Sequence, residues 1–460
     1  MTTQAHFDRR LIAKYDVAGP RYTSYPTAAD FKDEFPSRAL DEALQVKAGS
    51  TQPLSLYVHV PFCESLCFYC GCSKIVTKNT HRADEYLRYL SREIAHYGAL
   101  VGADRQVRQL HWGGGTPTFL NADQISTLMG SLHRHFSFAS DSQGEYSIEI
   151  DPRRVDAEMI DHLRFVGFNR LSMGVQDFDI DVQRAINRIQ PYEMTASALE
   201  AGRNAGFKSI NFDLIYGLPE QRVRTFEKTL KQVIALSPDR ISLFNYAHMP
   251  HLIRSQRAIR EDTLPSVDEK LDLFDLSKAM FESAGYVSIG LDHFAKPHDP
   301  LAMALRQGQL HRNFQGYTTG IELDMLGLGM TSISKVGDVY AQNHKTLEDY
   351  YSAIAANGSA TARGHRLSID DQIRAALISD LSCERTIQFD DFSRRFNIAF
   401  GNYFARELAA LADFVADGLV ELTHQSLRVT EAGKLLLRPI CMVFDSYRCG
   451  EKALRFSKVL

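Results

Sequence analysis

Short runs rich in β-branched and aromatic residues alternate with longer helical patterns from about residue 50 onwards. The runs occupy residues 54–60, 107–112, 146–151, 170–176, 209–217 and 240–246. Between them, apolar residues recur at helical spacing, as in residues 83–100 and 223–236, and Asp, Asn or Ser often precedes these helices. This alternation predicts parallel strands with helices outside them. Because parallel strands need cover on both faces, we expect an α/β fold built on a partial (β/α)6 barrel.

Unusual polar segments follow or end these strands. They are "PFCESLCFYCGC" (61–72) after the first run, "GGGTPT" (113–118) after the second, Glu149 and Asp151 in the third, Gln176 in the fourth, Asp213 in the fifth and "NYAHMP" (245–250) after the sixth. Polar residues commonly collect where strands become loops. That alternative does not explain why the cysteines and the glycine run share one rim. Because barrel active sites lie at the carboxyl ends of the strands, this rim is the candidate site.

The remaining segments predict appendages to the barrel. Residues 1–50 form an N-terminal extension that covers the active site, 51–300 the barrel, 301–364 a connecting segment lining the site, and 365–460 a mainly helical C-terminal domain. This last domain includes a helical pattern at 404–422 and a short hairpin at 422–430. Helices followed by a hairpin can form a DNA-reading winged helix, but these helices are as acidic as they are basic. We therefore expect them to pack on the barrel or cover the substrate.

Composition excludes several function classes. The 460 residues are 44% hydrophobic and 23% charged, with a net charge of −4, so no basic nucleic-acid footprint is present. No apolar run follows the N-terminus, and no stretch approaches the roughly 18 apolar residues that span a bilayer. These features predict a cytoplasmic protein without a membrane span, in which disulfides are disfavoured. The scattered Cys383, Cys441 and Cys449 are then interpreted as buried, inert thiols.

Four of the seven cysteines lie within residues 63–72. Thiolates favour zinc or iron–sulfur centres, and a structural zinc site usually takes two ligand pairs separated by a longer segment. Cys63, Cys67 and Cys70 are instead continuous, with spacing that can give one thiolate to each of three irons of a 4Fe–4S cluster. Cys72 is then a fourth ligand or has another role. Zinc binding and thiol redox chemistry are the alternatives to an iron–sulfur cluster at these cysteines.

An iron without a protein ligand could chelate a small molecule through an amine and a carboxylate. The glycine run at 113–115 lacks the Lys-Ser/Thr ending of a nucleotide P-loop, so phosphate binding is not expected there. Three glycines do allow close backbone approach to an amino-acid-like group. The cluster and the glycine run together predict a small-molecule site on the rim.

These motifs resemble those of the radical S-adenosylmethionine (SAM) superfamily. With "GPRYTSYPT" (19–27), "IEIDPR", "NRLSMGVQDF", "DLIYGLPEQ", "HRNFQGYTT" and "YAQN", the chain is similar, almost end to end, to the oxygen-independent coproporphyrinogen III dehydrogenases of haem biosynthesis. The resemblance implies an oxidoreductase that converts two propionates of coproporphyrinogen III into vinyl groups, giving protoporphyrinogen IX. It implies that reduction cleaves SAM into methionine and a 5′-deoxyadenosyl radical. This radical takes a hydrogen atom from the propionate β-carbon, and carbon dioxide and one electron are then lost.

The resemblance also assigns residues. It implies a 4Fe–4S cluster held by Cys63, Cys67 and Cys70 with one open iron, two SAM molecules, and catalytic roles for Tyr57, Cys72 and Gln315. The positions matching SAM contacts are Tyr57 (at the end of the first strand), Tyr69, Gly114, Gly115, Thr116, Glu149, Gln176, Arg188, Asp213, Ala247 and Ile333. Phe68–Tyr69 reverses the order common in relatives, so a ring contact there is less secure than a backbone contact. Taken singly, Tyr57 could be a barrel aromatic, Ile333 a core residue, Asp213 a loop cap and Arg188 a surface charge.

Cys72 distinguishes two functions within the resemblance. Relatives that bind haem as chaperones without decarboxylating usually lack this cysteine and the "RYTSYPT" segment, and this chain has both. The substrate's four propionates call for cations, for which Arg21 and Arg312 are candidates, although either could pair with a local carboxylate. The resemblance further implies a low-potential electron donor such as flavodoxin or ferredoxin, and a monomer.

Overall fold

Strands and helices alternate through residues 54–250 as the sequence pattern predicts. The structure, a computed structural model, describes residues 9–290, 292–319 and 323–448. Its elements up to residue 250 are α1 (Arg9–Tyr15), α2 (Ala39–Val46), β1 (Leu54–Val60), β2 (Phe62–Cys63), β3 (Ile75–Val76), α3 (His81–Val101), β4 (Gln106–Gly114), α4 (Ala122–His135), β5 (Ser137–Phe138), β6 (Glu145–Ile150), α5 (Ala157–Phe165), β7 (Arg170–Gln176), α6 (Ile180–Ala185), α7 (Tyr192–Asn204), β8 (Ser209–Tyr216), α8 (Val223–Leu236) and β9 (Arg240–Asn245).

The six predicted strands form one curved parallel sheet. They lie side by side in the order β1, β4, β6, β7, β8, β9, and every neighbouring pair is parallel. Their carboxyl ends therefore share one rim, as parallel strands joined by outer helices require. The prediction of an α/β fold with a partial (β/α)6 barrel is confirmed.

Residues 267–366 extend this sheet at both edges. Their elements are α9 (Val267–Ser283), β10 (Val287–Ile289), β11 (His293–Ala295), α10 (Pro300–Arg306), β12 (His311–Asn313), β13 (Gly316–Thr318), β14 (Asp324–Leu328), β15 (Ile333–Val336), β16 (Val339–Asn343), α11 (Leu347–Asn357) and β17 (Thr361–Arg366). Strand β14 pairs parallel with β1, and β15, β16 and β17 follow it as an antiparallel meander. Strand β11 pairs antiparallel with β9. The segment expected only to connect and line the site thus also continues the sheet.

The C-terminal part is helical with a small antiparallel sheet. Its elements are α12 (Ile369–Ser382), β18 (Ile387–Gln388), α13 (Phe389–Phe396), α14 (Phe400–Tyr403), α15 (Ala405–Ala410), α16 (Ala412–Ala416), β19 (Val420–Leu422), β20 (Ser426–Val429) and α17 (Leu437–Met442). The predicted hairpin at 422–430 is present, since β19 pairs with β20. The prediction of one helical segment over 404–422 is wrong. The helix is interrupted at Phe404 and at Leu411, which are both fully buried. The helical segment ends before Gly418, whose φ of 71° is left-handed.

Two apolar cores organise the molecule. The larger core lies between the barrel strands and their helices, and the smaller one lies in the C-terminal part. Tyr15, Tyr22 and Tyr25 from the N-terminal extension belong to the smaller core, where the Tyr22 hydroxyl donates to Asp445 at 2.8 Å. Among the described residues, no helix is long and apolar enough to span a bilayer. The extension is therefore tied to the C-terminal part.

Glu93 is a fully buried carboxylate that joins α3 to the β14–β16 meander. It accepts hydrogen bonds from the Gly329 amide (2.7 Å), the Asn343 side-chain amide (2.6 Å) and the Tyr350 hydroxyl (2.7 Å). Burial raises the pKa of Glu93 to about 7, although these donors oppose the shift. Between pH 4.5 and 7, Glu93 is therefore protonated in the folded chain and ionised in the unfolded chain.

We expect Glu93→Gln to flatten the pH dependence of stability. Because the folded pKa is raised, the free energy of unfolding of the parent chain falls as pH rises from 4.5 to 7, by on the order of 3 kcal/mol relative to the variant. Urea denaturation at a series of pH values measures this slope. Glu85→Gln, on the exposed face of the same helix, is the control and keeps the parental slope. If the variant Glu93→Gln kept the parental pH dependence of stability, that result would contradict the raised pKa of Glu93.

Candidate active site

The barrel encloses a polar cavity of about 460 Å³. Alternate residues of β4, β6, β7, β8 and β9 face it, and the intervening apolar residues lie under the outer helices, because successive side chains of a strand point to opposite faces. The inward residues are Gln109 and His111 of β4, Glu145, Ser147 and Glu149 of β6, Arg170, Ser172, Gly174 and Gln176 of β7, Ser209, Asn211 and Asp213 of β8, and Arg240, Ser242 and Phe244 of β9. Polar residues therefore line the whole length of the barrel, and not only its rim.

The cysteine loop is fixed by backbone hydrogen bonds at the carboxyl end of β1. Strand β2 pairs with β3, which closes the loop on itself. The Gly115 amide donates to Val60 at 2.8 Å and the Thr116 amide donates to Phe62 at 2.8 Å, so the loop lies against the glycine run. The Gln256 amide donates to the Tyr69 carbonyl at 3.0 Å from the other side. The loop is therefore held between two neighbouring segments.

Most residues predicted for the site lie together in the cavity wall. They are Cys63, Cys67, Tyr69, Cys70, Cys72, Gly114, Gly115, Thr116, Glu149, Gln176, Arg188, Asp213 and Gln315. Two of them carry buried nitrogens, Arg188 Nε and Gln315 Nε2, that have no hydrogen-bond partner among the described residues. Unpaired buried donors are costly, so these two indicate where a ligand would bind.

Tyr57, Ala247 and Ile333 lie just outside this wall. Tyr57 stands in the middle of β1, which corrects its expected place at the strand end, and its ring stacks on His111 with centroids 5.9 Å apart. The Ala247 carbonyl accepts from Gln256, the residue that also holds Tyr69. Ile333 packs beside an apolar cluster of the meander.

The two arginines expected to bind propionates also lie outside the wall. The Arg21 guanidinium donates to the Asn245 carbonyl at 3.0 Å, at the end of β9. The Arg312 guanidinium stacks over the ring of Tyr317, which does line the cavity, at 5.1 Å. Both arginines therefore border the cavity from the β9 side.

Tyr57 is linked to the end of the cysteine loop through His59, which the sequence analysis did not single out. Burial lowers the pKa of His59 to about 4, so its imidazole is neutral. Its Nε2–H donates to the Ser73 carbonyl at 3.0 Å, and its Nδ1 accepts from the Tyr57 hydroxyl at 3.1 Å. The tautomer is set because a carbonyl oxygen can only accept.

A buried charge cluster lies beside Cys67. Arg188 Nη1 donates to Asp151 at 3.1 Å and approaches the Cys67 sulfur at 3.7 Å, while Nη2 donates to the Gly174 carbonyl at 2.7 Å. Arg153 also pairs with Asp151 and approaches Cys67 at 3.8 Å. Burial opposes ionisation of Asp151, but the two arginines hold its pKa below the usual range. The cluster directs positive charge toward the thiols.

Two further carboxylates face the cavity, Glu149 from β6 and Asp213 from β8. His111 Nε2 contacts Glu149 at 3.0 Å. Asp213 accepts from Ser172 at 3.0 Å and Asn211 at 2.8 Å, and burial together with the nearby Glu149 raises the pKa of Asp213. His59 and His111 were missed because each stands between two apolar residues, and Arg153, between Pro152 and Arg154, was missed as well. The alternation of polar residues along β4 and β6 was the signal that could have identified His111.

The donor set fits a cluster better than a single metal ion. Cys63, Cys67 and Cys70 line one cavity wall, yet within the described ranges no three His, Cys, Asp or Glu side chains converge on one ion position. A cluster takes one thiolate per iron, so its ligands need not converge. The arginines beside Cys67 suit the negative charge of thiolates, and the glycine run leaves its backbone accessible to an amino-acid-like ligand.

The scattered cysteines behave as predicted where they can be described. Cys383 and Cys441 are buried, and burial raises the pKa of each thiol to about 12. Such thiols are protonated and unreactive at neutral pH. Cys449 lies outside the described residues.

Comparisons with known proteins agree with this site. Residues 57–233 match the radical SAM superfamily, and residues 367–436 match the HemN C-terminal domain. Oxygen-independent coproporphyrinogen III oxidase from Escherichia coli is 49% identical, with 99% of each chain covered. The enzyme of the same name from Synechocystis sp. is 45% identical, with 96% of this chain and 95% of the relative covered.

A solved structure is also similar over nearly the whole chain. It is coproporphyrinogen III oxidase (HemN) from Escherichia coli, described as a radical SAM enzyme. The TM-score is 0.91 at 48% identity, and the match covers 97% of this chain and 100% of the other. The similarity therefore includes the barrel, the N-terminal extension and the C-terminal part together.

We expect Gly115→Ala to disturb the cysteine loop. An added Cβ would lie 2.6 Å from the Phe62 carbonyl oxygen and 2.8 Å from the Pro61 carbonyl carbon, both rigid backbone atoms. Overpacking of this kind destabilises by about 1–3 kcal/mol and would separate the loop from β4. Iron and acid-labile sulfide after anaerobic reconstitution, with the apoprotein melting temperature, measure the effect.

The matched control is Gly130→Ala in α4. An added Cβ there meets only the end of Arg134, at 3.7 Å, and helix propensity favours alanine by about 0.5–1 kcal/mol. This control keeps its iron and melts no earlier than the parent chain. Equal iron contents in both variants would show that the close approach at Gly115 is dispensable.

Proposed function

This chain belongs to the oxygen-independent coproporphyrinogen III oxidases of the radical SAM superfamily, oxidoreductases of haem biosynthesis, and from that premise we propose how its residues carry out the reaction. The substrate is coproporphyrinogen III. Two of its propionates each lose a hydrogen atom, carbon dioxide and one electron, which leaves two vinyl groups and gives protoporphyrinogen IX. The observation that carries the proposal is the meeting of the cysteine loop with the glycine run at the mouth of the polar cavity.

The cofactors are a 4Fe–4S cluster and SAM. We propose Cys63, Cys67 and Cys70 as the cluster ligands, which leaves one iron for SAM. When bound, the two cofactors supply a reductive cleavage of SAM whose carbon-centred radical removes the hydrogen atom. The protein's own part is to bind, to orient and to exclude water and oxygen.

The charged residues of the wall suit the two ends of SAM. We propose that the backbone of Gly114, Gly115 and Thr116 receives the amino group, and that Arg188, with its unpaired buried Nε, faces the carboxylate. Glu149 and Asp213 are acceptors deeper in the barrel, where hydroxyl donors of the ligand can reach them. The remaining contacts we assign are Tyr57, Tyr69, Gln176 and Ala247.

A hydrogen bond to His59 fixes the orientation of the Tyr57 side chain. Its hydroxyl donates to His59, whose other nitrogen is tied to Ser73, so the phenol ring cannot rotate freely against the cavity. We propose that Tyr57 acts catalytically from this position, and that Cys72, in the cavity wall beyond the three ligands, takes part in turnover without binding the cluster.

A second SAM molecule belongs to the same proposal. Gln315, a catalytic candidate, lines the cavity and carries a buried side-chain amide nitrogen without a partner among the described residues. Its neighbour Phe314 packs in the apolar cluster that contains Ile333, so these two positions lie near each other. We propose that they face the second molecule.

The surroundings of the site complete the proposal. We propose that the N-terminal extension, residues 1–50, covers the cavity on the side where Arg21 reaches the end of β9, and that residues 365–460 form the C-terminal domain. Arg21 and Arg312 bind propionates. A low-potential carrier such as flavodoxin or ferredoxin is the electron donor, and the enzyme acts as a monomer in the cytoplasm, whose reducing conditions keep the thiols free. The relatives reported above give no support to a haem chaperone.

The decisive experiment measures turnover and cluster content together. Under anaerobic conditions with SAM and a reductant, the reconstituted parent chain releases two molecules of carbon dioxide per coproporphyrinogen III. Cys63→Ser loses most of its iron and its activity. Cys72→Ser keeps the parental iron and sulfide, and its turnover falls about 10-fold or more. Full turnover in Cys72→Ser would remove Cys72 from the mechanism, and no turnover in the loaded parent chain would refute the function.

The number of SAM molecules is tested separately by equilibrium dialysis on cluster-loaded protein. We expect two bound molecules in the parent chain and one in Gln315→Leu, because the variant removes the free amide without adding charge. Gln307→Leu, at an exposed glutamine, is the control and keeps two. A count of one in the parent chain would end the proposal of a second site.

A further inference from the structure

Three arginines from separate parts of the chain meet at the β9 side of the cavity. Arg21 belongs to the N-terminal extension, Arg312 to β12 and Arg438 to α17. Arg438 is buried, and the other two are half-buried. The sequence analysis did not single out Arg438, because it lies in the C-terminal part and far along the chain from every motif.

A continuous set of contacts joins the three segments. Arg21 donates to Asn245 at the end of β9, and the adjacent Phe244 is in edge contact with His293 at 5.9 Å. His293 is in edge contact with Tyr317, over which Arg312 stacks. The Tyr317 hydroxyl donates to the Ser382 carbonyl at 3.2 Å, and the Ser382 hydroxyl lies 4.0 Å from the sulfur of Cys441. Cys441 is one helical turn after Arg438 in α17. The arginine-bearing segments therefore meet at one place in the fold.

Positive charge exceeds negative charge in this cluster. Asp292 is the carboxylate that faces it, and Asp292 accepts from His293 Nδ1 at 2.7 Å. Within the described ranges, none of the three arginines forms an ion pair shorter than 4.0 Å, and Arg438 has no hydrogen bond. Arg312 Nε is likewise buried without a partner there. In the part of the chain that the structure describes, three guanidinium groups thus face one carboxylate, Asp292.

These groups also act electrostatically on one another. Burial lowers the pKa of Arg438 to about 10, with Arg21 and Arg312 contributing and Asp292 opposing. Burial opposes ionisation of Asp292, but His293, Arg312 and Arg21 hold its pKa well below the usual range. Uncompensated buried cations are unfavourable, so this cluster is stabilised when an anion binds.

The cluster borders the same cavity that the cysteine loop lines. His293, Tyr317 and Phe244 line the cavity and touch the cluster, with His293 and Tyr317 in edge contact at 5.3 Å. A tetrapyrrole with carboxylates around its rim could present different edges to the cluster and to the cysteine loop.

We propose that Arg438, with Arg21 and Arg312, binds a propionate of the substrate that is not undergoing decarboxylation. The proposal rests on the function proposed above and adds that the C-terminal domain contributes to substrate selection. A carboxylate held at this cluster positions the opposite edge of the tetrapyrrole toward the cysteine loop. Asp292 orients His293 and limits the excess charge when the site is empty.

The test compares substrate binding by Arg438→Gln and Arg438→Lys with that of the parent chain. Dissociation constants for coproporphyrinogen III and for its tetramethyl ester are measured anaerobically by equilibrium dialysis, in parallel with SAM binding and the melting temperature. Arg21→Gln and Arg312→Gln are measured alongside. Arg406→Gln, an exposed arginine of the same domain, is the matched control.

We expect Arg438→Gln to bind the tetracarboxylate about 10-fold or more weakly, with SAM affinity unchanged. Arg438→Lys recovers part of the lost affinity because it keeps the positive charge but lacks the bidentate geometry of the guanidinium group. The tetramethyl ester binds equally to the parent chain and Arg438→Gln, since it carries no charge for Arg438 to meet. Arg406→Gln behaves as the parent chain.

Two results would overturn this proposal while leaving the enzyme function intact. One is parental affinity in Arg438→Gln while Arg21→Gln or Arg312→Gln loses affinity. The other is an equal loss for the acid and the ester, which would assign Arg438 a purely structural role. If the parent chain neither binds nor converts coproporphyrinogen III, the proposed function itself fails.

Discussion

The close backbone approach between the end of β1 and the glycine run after β4 is the constraint on which the site depends. The amides of Gly115 and Thr116 donate to carbonyls on either side of Pro61, immediately before Cys63. Only a residue without a Cβ fits at that distance. The thiols, the amide-rich turn and the first parallel strand pair are therefore one rigid unit, and the chemistry proposed for the site needs all three.

The interior of the barrel determines the electrostatic environment of the site. Its strands bury their apolar faces under helices and present polar side chains inward, so ligands meet groups that are desolvated but already hydrogen-bonded to one another. Two groups of arginines lie near the rim. Arg188 and Arg153 are beside Cys67, and Arg21, Arg312 and Arg438 lie near the end of β9. The SAM carboxylate and the propionates of a tetrapyrrole are both anionic, and the two groups of arginines offer them separate binding positions.

The parts outside the barrel matter because they close it. Tyr22 and Tyr25 anchor the N-terminal extension in the C-terminal core, while Arg21 from the same segment reaches the end of β9. Helix α17 brings Arg438 to the same place. Residues more than four hundred positions apart in the chain are thus joined at the cavity mouth, and substrate binding becomes a property of the whole fold.

The sequence by itself determined the alternation of strands and helices, the parallel barrel and the position of the cysteine loop, because each is encoded in local periodicity and short spacing. It also identified, through motifs, many of the residues that line the cavity wall, but not His111 or Arg153. It misjudged 404–422, where burial of Phe404 and Leu411 overrides helical propensity, and it gave no sign of the β14–β17 extension. Only the tertiary structure decided that the Tyr57–His59 pair is tied to Ser73, that Arg188 joins Arg153 at Asp151, and that Arg438 joins Arg21 and Arg312. These pairings depend on chain segments meeting in space, and contacts between residues distant in the chain leave no periodic trace in a single sequence.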